Sequence, residues 1–365
     1  MLDIQENIQL APYTTFYIGG PARFFAVAQN EKDITVALTW AKQHGQEVFI
    51  LGGGSNVLIS DEGFPGLVIQ IKPLCLKVIN EDVTEAELEI GAGEIWDKVV
   101  EFTVKNDFWG IENLSHIPGF SGAFVVQNVG AYGQEASKVV KHVTVLNRES
   151  LQIERINATD CQFTYRHSSF NTAQKNRYVI LSANIMLSKV PKPDLTYGDV
   201  KEYFAIRKLE NPSQQQIRQA IIEIRNKKFL FPDKPERGNT GSFFRGKILN
   251  DIEFTGLGKM VNEKFGNKAL QRLETMTDRL KVPQGFKTPT AFVLELCEVK
   301  GLHAGGAKIN ETQPAIVVNS TGKATANDVI ALARQVLKEV KEKTGISLEL
   351  EPELVGFPEN ILGAG

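Results

Sequence analysis

Several stretches of this 365-residue chain carry residue types and spacings suited to chemistry. In Val48-Phe49-Ile50-Leu51-Gly52-Gly53-Gly54-Ser55-Asn56-Val57-Leu58-Ile59, a β-branched apolar run enters a triple glycine and a second such run leaves it. The pattern reads as strand, tight loop, strand. Without side chains in the way, successive N–H groups from Gly52 to Asn56 can line one concavity and approach an anion, with the Ser55 hydroxyl as a further donor. That is a cradle for a pyrophosphate; a plain glycine hairpin turn is the competing reading. A nucleoside-triphosphate loop needs a Lys-Ser/Thr pair opening a helix, and the dinucleotide fingerprint also needs a helix after its glycines. Val57-Leu58-Ile59 supplies neither.

A second glycine-rich stretch runs Ile117-Pro118-Gly119-Phe120-Ser121-Gly122 and on to Gln127-Asn128-Val129-Gly130-Ala131-Tyr132-Gly133. Its small residues suit a flat ligand lying on backbone, and they equally suit a turn and helix packed closely in a core. Tyr165-Arg166-His167 sets a guanidinium beside an aromatic ring, as a surface arginine also would. Ser242 stands between Gly241 and two phenylalanines; without a G-x-S-x-G elbow it is no hydrolase nucleophile, and it can simply be a turn serine. Glu353 follows Pro352 in an apolar strand, where burial would raise its pKa and an exposed edge would leave it ordinary.

The elements that must position these residues are of both kinds. Residues 31–44 carry Ile34, Ala37, Leu38 and Ala41 on one helical face, with Gly45 placed to end the helix. Strand patterns cover 67–71, 86–93, 142–146 and 178–187, with a helix over 95–106 between them, and residues 10–23 read as a short strand-like run. After the proline-stiffened linker 190–194, Ser213-Gln214-Gln215-Gln216 forms a capping box for a helix with Ile217, Ile221 and Ile224 inward. An amphipathic helix over 325–343 and one strand over 347–355 end the pattern. Runs of strands and helices in this order predict an α+β fold.

Basic and acidic residues nearly cancel, 41 against 43, and form no block of one sign, so neither a nucleic-acid partner nor membrane insertion is expected. The start lacks a basic region followed by an apolar core, which predicts a soluble cytosolic protein. Cys75, Cys161 and Cys297 are scattered, as are the five histidines, so no disulfide framework and no metal site are expected.

Taken in order, these stretches closely resemble the UDP-N-acetylenolpyruvoylglucosamine reductase (MurB) family. The carriers are Thr14-Thr15-Phe16 with Gly19-Gly20-Pro21-Ala22, the triple-glycine loop, the 117–133 stretch and Cys161-Gln162-Phe163-Thr164-Tyr165-Arg166. Leu195-Thr196-Tyr197-Gly198-Asp199, Gly238-Asn239-Thr240-Gly241-Ser242-Phe243-Phe244, Gly305-Gly306-Ala307 and Glu351-Pro352-Glu353 continue it. The likeness spans nearly the whole chain. It implies an FAD-binding fold of p-cresol methylhydroxylase type made of two α+β subdomains, residues 1–70 and 71–190. A linker and tyrosine loop (191–212) and a C-terminal α+β substrate domain (213–357) would follow.

The resemblance also implies the activity. A monomeric bacterial cytoplasmic enzyme would use NADPH and non-covalent FAD to reduce UDP-N-acetylenolpyruvoylglucosamine to UDP-N-acetylmuramate, for peptidoglycan synthesis. FAD would lie on Gly52, Gly53, Gly54, Ser55, Asn56, Pro118, Gly119, Gln127, Asn128, Gly130, Ala131 and Tyr132. Arg166, Ser242 and Glu353 would be catalytic, Ser242 as proton donor, while Tyr165, Tyr197, Arg225, Lys228 and Asn239 would meet the substrate. Two other readings share some of these features: a flavin oxidase on the same fold, and a non-catalytic nucleotide-binding protein. The chain departs from the family pattern in a longer Lys228-to-Pro232 spacing and in Arg245-Gly246-Lys247. Val355 stands where an arginine is usual, and the unmatched segment 248–298 reads as a surface insertion.

Overall fold

The computed structural model describes residues 2–228 and 231–362; two residues of the Lys228-to-Pro232 spacing, Phe229 and Leu230, therefore lie outside it. The chain divides into two compact units. The first is Met1–Ile8, Pro21–Gly54 and Phe64–Phe231; the second is Gln9–Gly20, Ser55–Gly63 and Pro232–Gly365.

In the first unit, β1 (Ile4–Gln9), β2 (Pro21–Ala28), α1 (Glu31–Gln43) and β3 (Val48–Leu51) come first. β4 (Val57–Ile59), which belongs to the second unit, precedes β5 (Phe64–Ile71), β6 (Leu76–Glu81) and β7 (Glu85–Gly91). α2 (Trp96–Lys105), α3 (Ser121–Val126), the short pair β8 (Gly130–Ala131) and β9 (Gln134–Glu135), then β10 (Val140–Asn147), β11 (Ile153–Asn157) and β12 (Tyr178–Ser188) follow. α4 (Gly198–Ile206) and α5 (Gln214–Lys228) complete it. One sheet has the order β1-β2-β5-β3, with β2 and β3 both parallel to β5. The other, β11-β10-β12-β7-β6, is antiparallel throughout. One apolar cluster serves both sheets, with Ile34 and Ala37 of α1, Val99 and Val100 of α2, Leu67 of β5 and Val143 of β10 all inside it.

Helix boundaries follow local chemistry. Asn30 caps α1 by accepting from the Asp33 N–H at 3.1 Å. The expected box before α5 forms, Ser213 N–H donating to Gln216 Oε1 at 2.8 Å and Gln216 N–H to Ser213 Oγ at 3.3 Å. The expected strand over residues 10–23 does not. Ala11–Tyr13 is a single 3-10 turn, because Pro12 and the Thr14 hydroxyl, which donates to the Ala11 carbonyl at 3.1 Å, favour a local turn over a ladder. Tyr17 (φ 56°) and Gly19 (φ 143°) then take the chain out of extended geometry before β2.

The second unit contains β13 (Phe244–Arg245), β14 (Ile248–Leu249), α6 (Asp251–Phe265), α7 (Asn267–Glu274) and α8 (Thr277–Leu280). β15 (Lys281–Val282), β16 (Gly285–Lys287), α9 (Thr290–Leu296), β17 (His303–Ala304), β18 (Ala307–Ile309) and β19 (Val317–Asn319) lead to α10 (Ala326–Thr344). β20 (Glu349–Leu350) and β21 (Glu353–Val355) replace the single strand expected over 347–355, since Pro352 lacks the N–H that a continuous ladder needs. α10 starts at a Thr325–Asp328 capping box and stops at left-handed Gly345. It buries Val329, Ile330, Ala333, Val336 and Val340 against Phe16, Leu58 and Phe243, each valine or isoleucine side chain contributing about 1.5–3 kcal/mol. Segment 248–298, expected as a surface insertion, builds a core of its own from Leu249, Leu257, Val261, Leu273, Leu280 and Phe292.

Candidate active site

The triple glycine joins two strands that do not pair with each other, which removes the hairpin reading. β3 lies beside β5, while β4 runs parallel to β21 with Val57 opposite Glu353. The chain passes from one unit to the other between Gly54 and Ser55. In the first unit, a Cβ on Gly53 would stand 2.8 Å from Gly119 Cα and 2.9 Å from Phe120 N, so the two glycine-rich stretches touch backbone to backbone. A Cβ on Gly52 would meet nothing within 4 Å. One glycine serves close packing and the next leaves open space beside the loop, as a backbone cradle requires.

The second stretch is held in conformations that L-residues avoid. His116 (φ 61°), Asn128 (φ 40°) and Tyr132 (φ 47°) are left-handed, as is Arg166 (φ 61°) on the neighbouring turn. Such strain persists where the surroundings over-determine it. Asn128 is buried; its Nδ2 donates to the Thr164 carbonyl at 2.9 Å, and its Oδ1 accepts the Ser137 N–H at 2.9 Å. Arg166 donates to the Gly130 carbonyl at 2.8 Å and lies with its guanidinium carbon 5.0 Å from the Tyr165 ring centre. The arginine is thus tied to the stretch expected to carry a flavin.

At the last turn of α5, Arg225 is buried, its Nε donating to the His116 carbonyl at 3.0 Å, and it also hydrogen-bonds Tyr132. Burial lowers the guanidinium pKa from its ordinary value and pushes the Tyr132 phenol up. Lys228 pairs with Asp199 of α4, and its Nζ lies 5.9 Å from the Tyr132 ring centre. Tyr197, at the N-cap of α4, meets Tyr132 edge-on at 5.3 Å. Asn113 roots this corner, donating to the carbonyls of Tyr132 at 2.7 Å and Asp194 at 2.8 Å. Asp97, Asn113 and Arg218 shape this region, and sequence reasoning passed over all three because an isolated polar residue carries no motif.

The second unit gathers the other expected residues through backbone pairing. Asn239 is buried, with Nδ2 donating to the Arg237 carbonyl at 2.9 Å and Oδ1 accepting the Gly241 N–H at 2.9 Å, an Asx turn that leads to Ser242. Ser242 itself is exposed, and Phe243 behind it is buried, its N–H donating to the Ala315 carbonyl at 2.6 Å. The Glu351 N–H returns to the Phe243 carbonyl at 2.9 Å. Glu353 N–H donates to the Asn56 carbonyl at 3.0 Å, and Asn56 Nδ2 to the Glu351 carbonyl at 3.3 Å. Ser242, Glu353 and the Ser55-Asn56 end of the glycine loop therefore share one unit. Thr240 Oγ1, two residues from Ser242, is buried without a hydrogen-bond partner. Among the described residues no group of His, Cys, Asp or Glu is arranged to hold a metal ion.

Comparison with known proteins assigns the family. Residues 22–154 match the FAD binding domain, and residues 233–355 match the C-terminal domain of UDP-N-acetylenolpyruvoylglucosamine reductase. The reductase of that name from Streptomyces coelicolor is 34% identical, with 97% of this chain and 91% of the relative covered. The one from Pseudomonas fluorescens is 31% identical over 96% of this chain and 98% of its own length. The chain belongs to the UDP-N-acetylenolpyruvoylglucosamine reductase family. The crystal structure of the reductase from Thermus caldophilus shares the fold, with a TM-score of 0.63 at 21% identity over 97% of this chain and all of that one. The expected α+β architecture, an FAD-binding fold of p-cresol methylhydroxylase type with a C-terminal domain, is thus the one this reductase-family chain adopts. No helix among its described residues is long and apolar enough to cross a membrane.

Proposed function

We infer that the chain is an FAD-dependent oxidoreductase that uses NADPH to reduce the enolpyruvyl ether of UDP-N-acetylenolpyruvoylglucosamine, giving UDP-N-acetylmuramate for peptidoglycan synthesis. It works as a monomer in the bacterial cytoplasm. The observation that carries this is relationship along the full length to reductases of that name, with Arg166, Ser242 and Glu353 all present in order. The residues also fit the cofactor: the contact of Gly53 with Gly119 and Phe120 and the open flank of Gly52 suit a pyrophosphate on bare N–H groups.

Bound FAD supplies two-electron hydride chemistry, with NADPH as the donor and the enol ether double bond as the acceptor. The protein manages the charge that this creates. Hydride added at the terminal carbon leaves negative charge on the adjacent carbon and in the attached carboxylate. Arg166, already oriented by the Gly130 carbonyl, pairs with that carboxylate as charge develops. Glu353 assists as the family's carboxylic acid, and the Ser242 hydroxyl delivers the proton that completes the lactyl ether. A serine hydroxyl is a weak acid, so it acts only on so basic an intermediate. Lys228 and Tyr197 bind the nucleotide diphosphate, with Tyr165 and Asn239 lining the substrate's path. Arg225, whose Nε donates to the His116 carbonyl, faces the diphosphate.

An anaerobic experiment tests both half-reactions. The purified protein is reduced with NADPH, excess is removed, and UDP-N-acetylenolpyruvoylglucosamine is added while flavin absorbance is followed. Bleaching and then recovery, with UDP-N-acetylmuramate formed, is expected. Recovery only with oxygen would favour an oxidase, and absence of a flavin signal after FAD is supplied would favour a binding protein.

A further inference from the structure

An acid and two arginines converge on the backbone of one residue, His116, at the start of the second glycine-rich stretch. The left-handed His116 donates its N–H to Asp97 Oδ1 at 2.5 Å, and its carbonyl accepts from Arg225 Nε at 3.0 Å. Arg218 fixes Asp97 in turn, donating to the two carboxylate oxygens at 2.7 and 2.8 Å. This is the fork-on-fork geometry that only a guanidinium supplies. Arg218 and Arg225 stand seven residues apart, two turns along one face of α5. One helix therefore grips the two peptide groups that flank His116, the carbonyl directly through Arg225 and the N–H by way of Asp97 through Arg218.

The grip extends to the cradle. Asp97 lies in the first turn of α2, where the exposed N–H groups favour an anion. Burial alone would raise its pKa, but Arg218 and the His116 N–H outweigh that and hold the carboxyl below its ordinary range. Its neighbour Trp96 donates its N–H to the Gly119 carbonyl at 3.0 Å, and Ile95 pairs with Phe120 in an antiparallel bridge. Residues 116, 119 and 120 are thus all registered on the start of α2. Gly119 and Phe120 are the groups against which Gly53 packs.

We propose that Asp97, held by Arg218, is a positioning residue for the FAD site. By accepting the His116 N–H it fixes the left-handed turn from which the Pro118-Gly119-Phe120 backbone is presented to the glycine loop. This rests on the assignment of Gly52–Gly54 and Pro118–Gly119 to FAD. A mere tether of α5 to α2 would change thermal stability alone, whereas a positioning role also changes the affinity and reduction potential of the flavin.

The test compares full-length protein with Asp97→Ala and with Asp97→Asn combined with Arg218→Gln, which keeps an acceptor for His116 and replaces the ion pair by two amides. FAD dissociation constant, flavin reduction potential and thermal midpoint are measured for each. Asp97→Ala is expected to bind FAD about 10- to 100-fold more weakly, the range for losing a hydrogen bond to a charged group, with a shifted potential. The double variant is expected to recover most of both. Unchanged affinity and potential in Asp97→Ala would overturn the proposal even if its midpoint fell, as would equal losses in the double variant. If Asp97→Ala does not fold, Arg218→Met serves instead, with a smaller loss of affinity expected and an unchanged affinity and potential overturning the proposal. Wild-type protein that binds no FAD would remove the cofactor assignment itself and the proposal with it.

Discussion

The residues expected to carry the cofactor and those expected to finish the reaction are held by different means. Around residues 116–133, side chains do the holding: Asn128 on Thr164 and Ser137, Arg166 on Gly130, Arg225 on His116, with His116, Asn128 and Arg166 themselves left-handed. Around Ser242 and Glu353 the backbone does it, through the short ladders of β13 with β20 and β21 with β4. The difference teaches where a substitution will be felt. In the first region it disturbs geometry before chemistry, and in the second it removes chemistry and leaves the geometry.

The largest effect is expected at Ser242. Because the side chain is exposed and the Asx turn before it is made by Asn239, Ser242→Ala should leave the thermal midpoint and flavin reduction by NADPH unchanged. Reoxidation by the enolpyruvyl substrate should slow by about 10²- to 10⁴-fold, the range for a positioned proton donor. Stopped-flow of each half-reaction separates these, and equal slowing of both would sink the proton-donor role.

Arg166 sits on the boundary of the comparison, since the side chain that bonds the Gly130 carbonyl is also the one proposed to meet the substrate. Arg166→Lys keeps the charge but loses the fork that reaches the Gly130 carbonyl. A fall of about 10- to 100-fold in kcat/KM for the second half-reaction is expected, together with a weaker hold on FAD. Loss of turnover with FAD affinity intact would show that the guanidinium serves the substrate alone.

Adjacent glycines sharpen the contrast further. Gly53→Ala drives a methyl into the backbone of Gly119 and Phe120, so both FAD affinity and thermal midpoint should fall. Gly52→Ala meets only open space, so the apoprotein should keep or gain stability, by about 0.4–1 kcal/mol at most. FAD titration of that variant asks whether the open space is the pyrophosphate's: affinity should drop about tenfold, the effect of 1.4 kcal/mol, and an unchanged affinity would place the phosphates elsewhere.

What the sequence made legible was local. The box of Ser213 with Gln216 before α5 and the Gly45 stop after α1 could be read, because caps act within about four residues. The glycine loop and the stretch after Pro118 were visible as composition, but their contact was not, since nothing local records that Gly53 must lie on Gly119. The pairing of β4 with β21 joins residues about 300 positions apart, and no pattern in either strand announces its partner. That segment 248–298 has a core of its own, formed among its own helices, was not announced by any motif in it. Asp97 and Arg218 were invisible because the partner each needs lies 121 residues away.

The smallest effect expected is one of pH, and it again divides the two regions. Asp97 has a folded-state pKa below its unfolded value of about 3.9, so it contributes stability above that value and loses it as pH falls through the depressed one. The groups facing it are Arg218, which stays charged throughout, and His116, whose ring is kept largely neutral near pH 7 by burial, which lowers its pKa. The stability gap between wild type and Asp97→Asn should therefore be constant from neutral pH to about pH 5 and close below pH 4. In the second unit Asp328 is depressed in the same direction, burial opposing but the Thr325 and Gly306 N–H groups prevailing. Asp328→Asn should close its own gap over the same range, but with flavin affinity unchanged, because that carboxylate caps α10 and touches neither glycine-rich stretch. Denaturation of both variants across pH 3 to 7, with FAD titrated at each end, tests this; a loss of flavin affinity in the Asp328 variant would erase the distinction between a region held by side chains and one held by backbone.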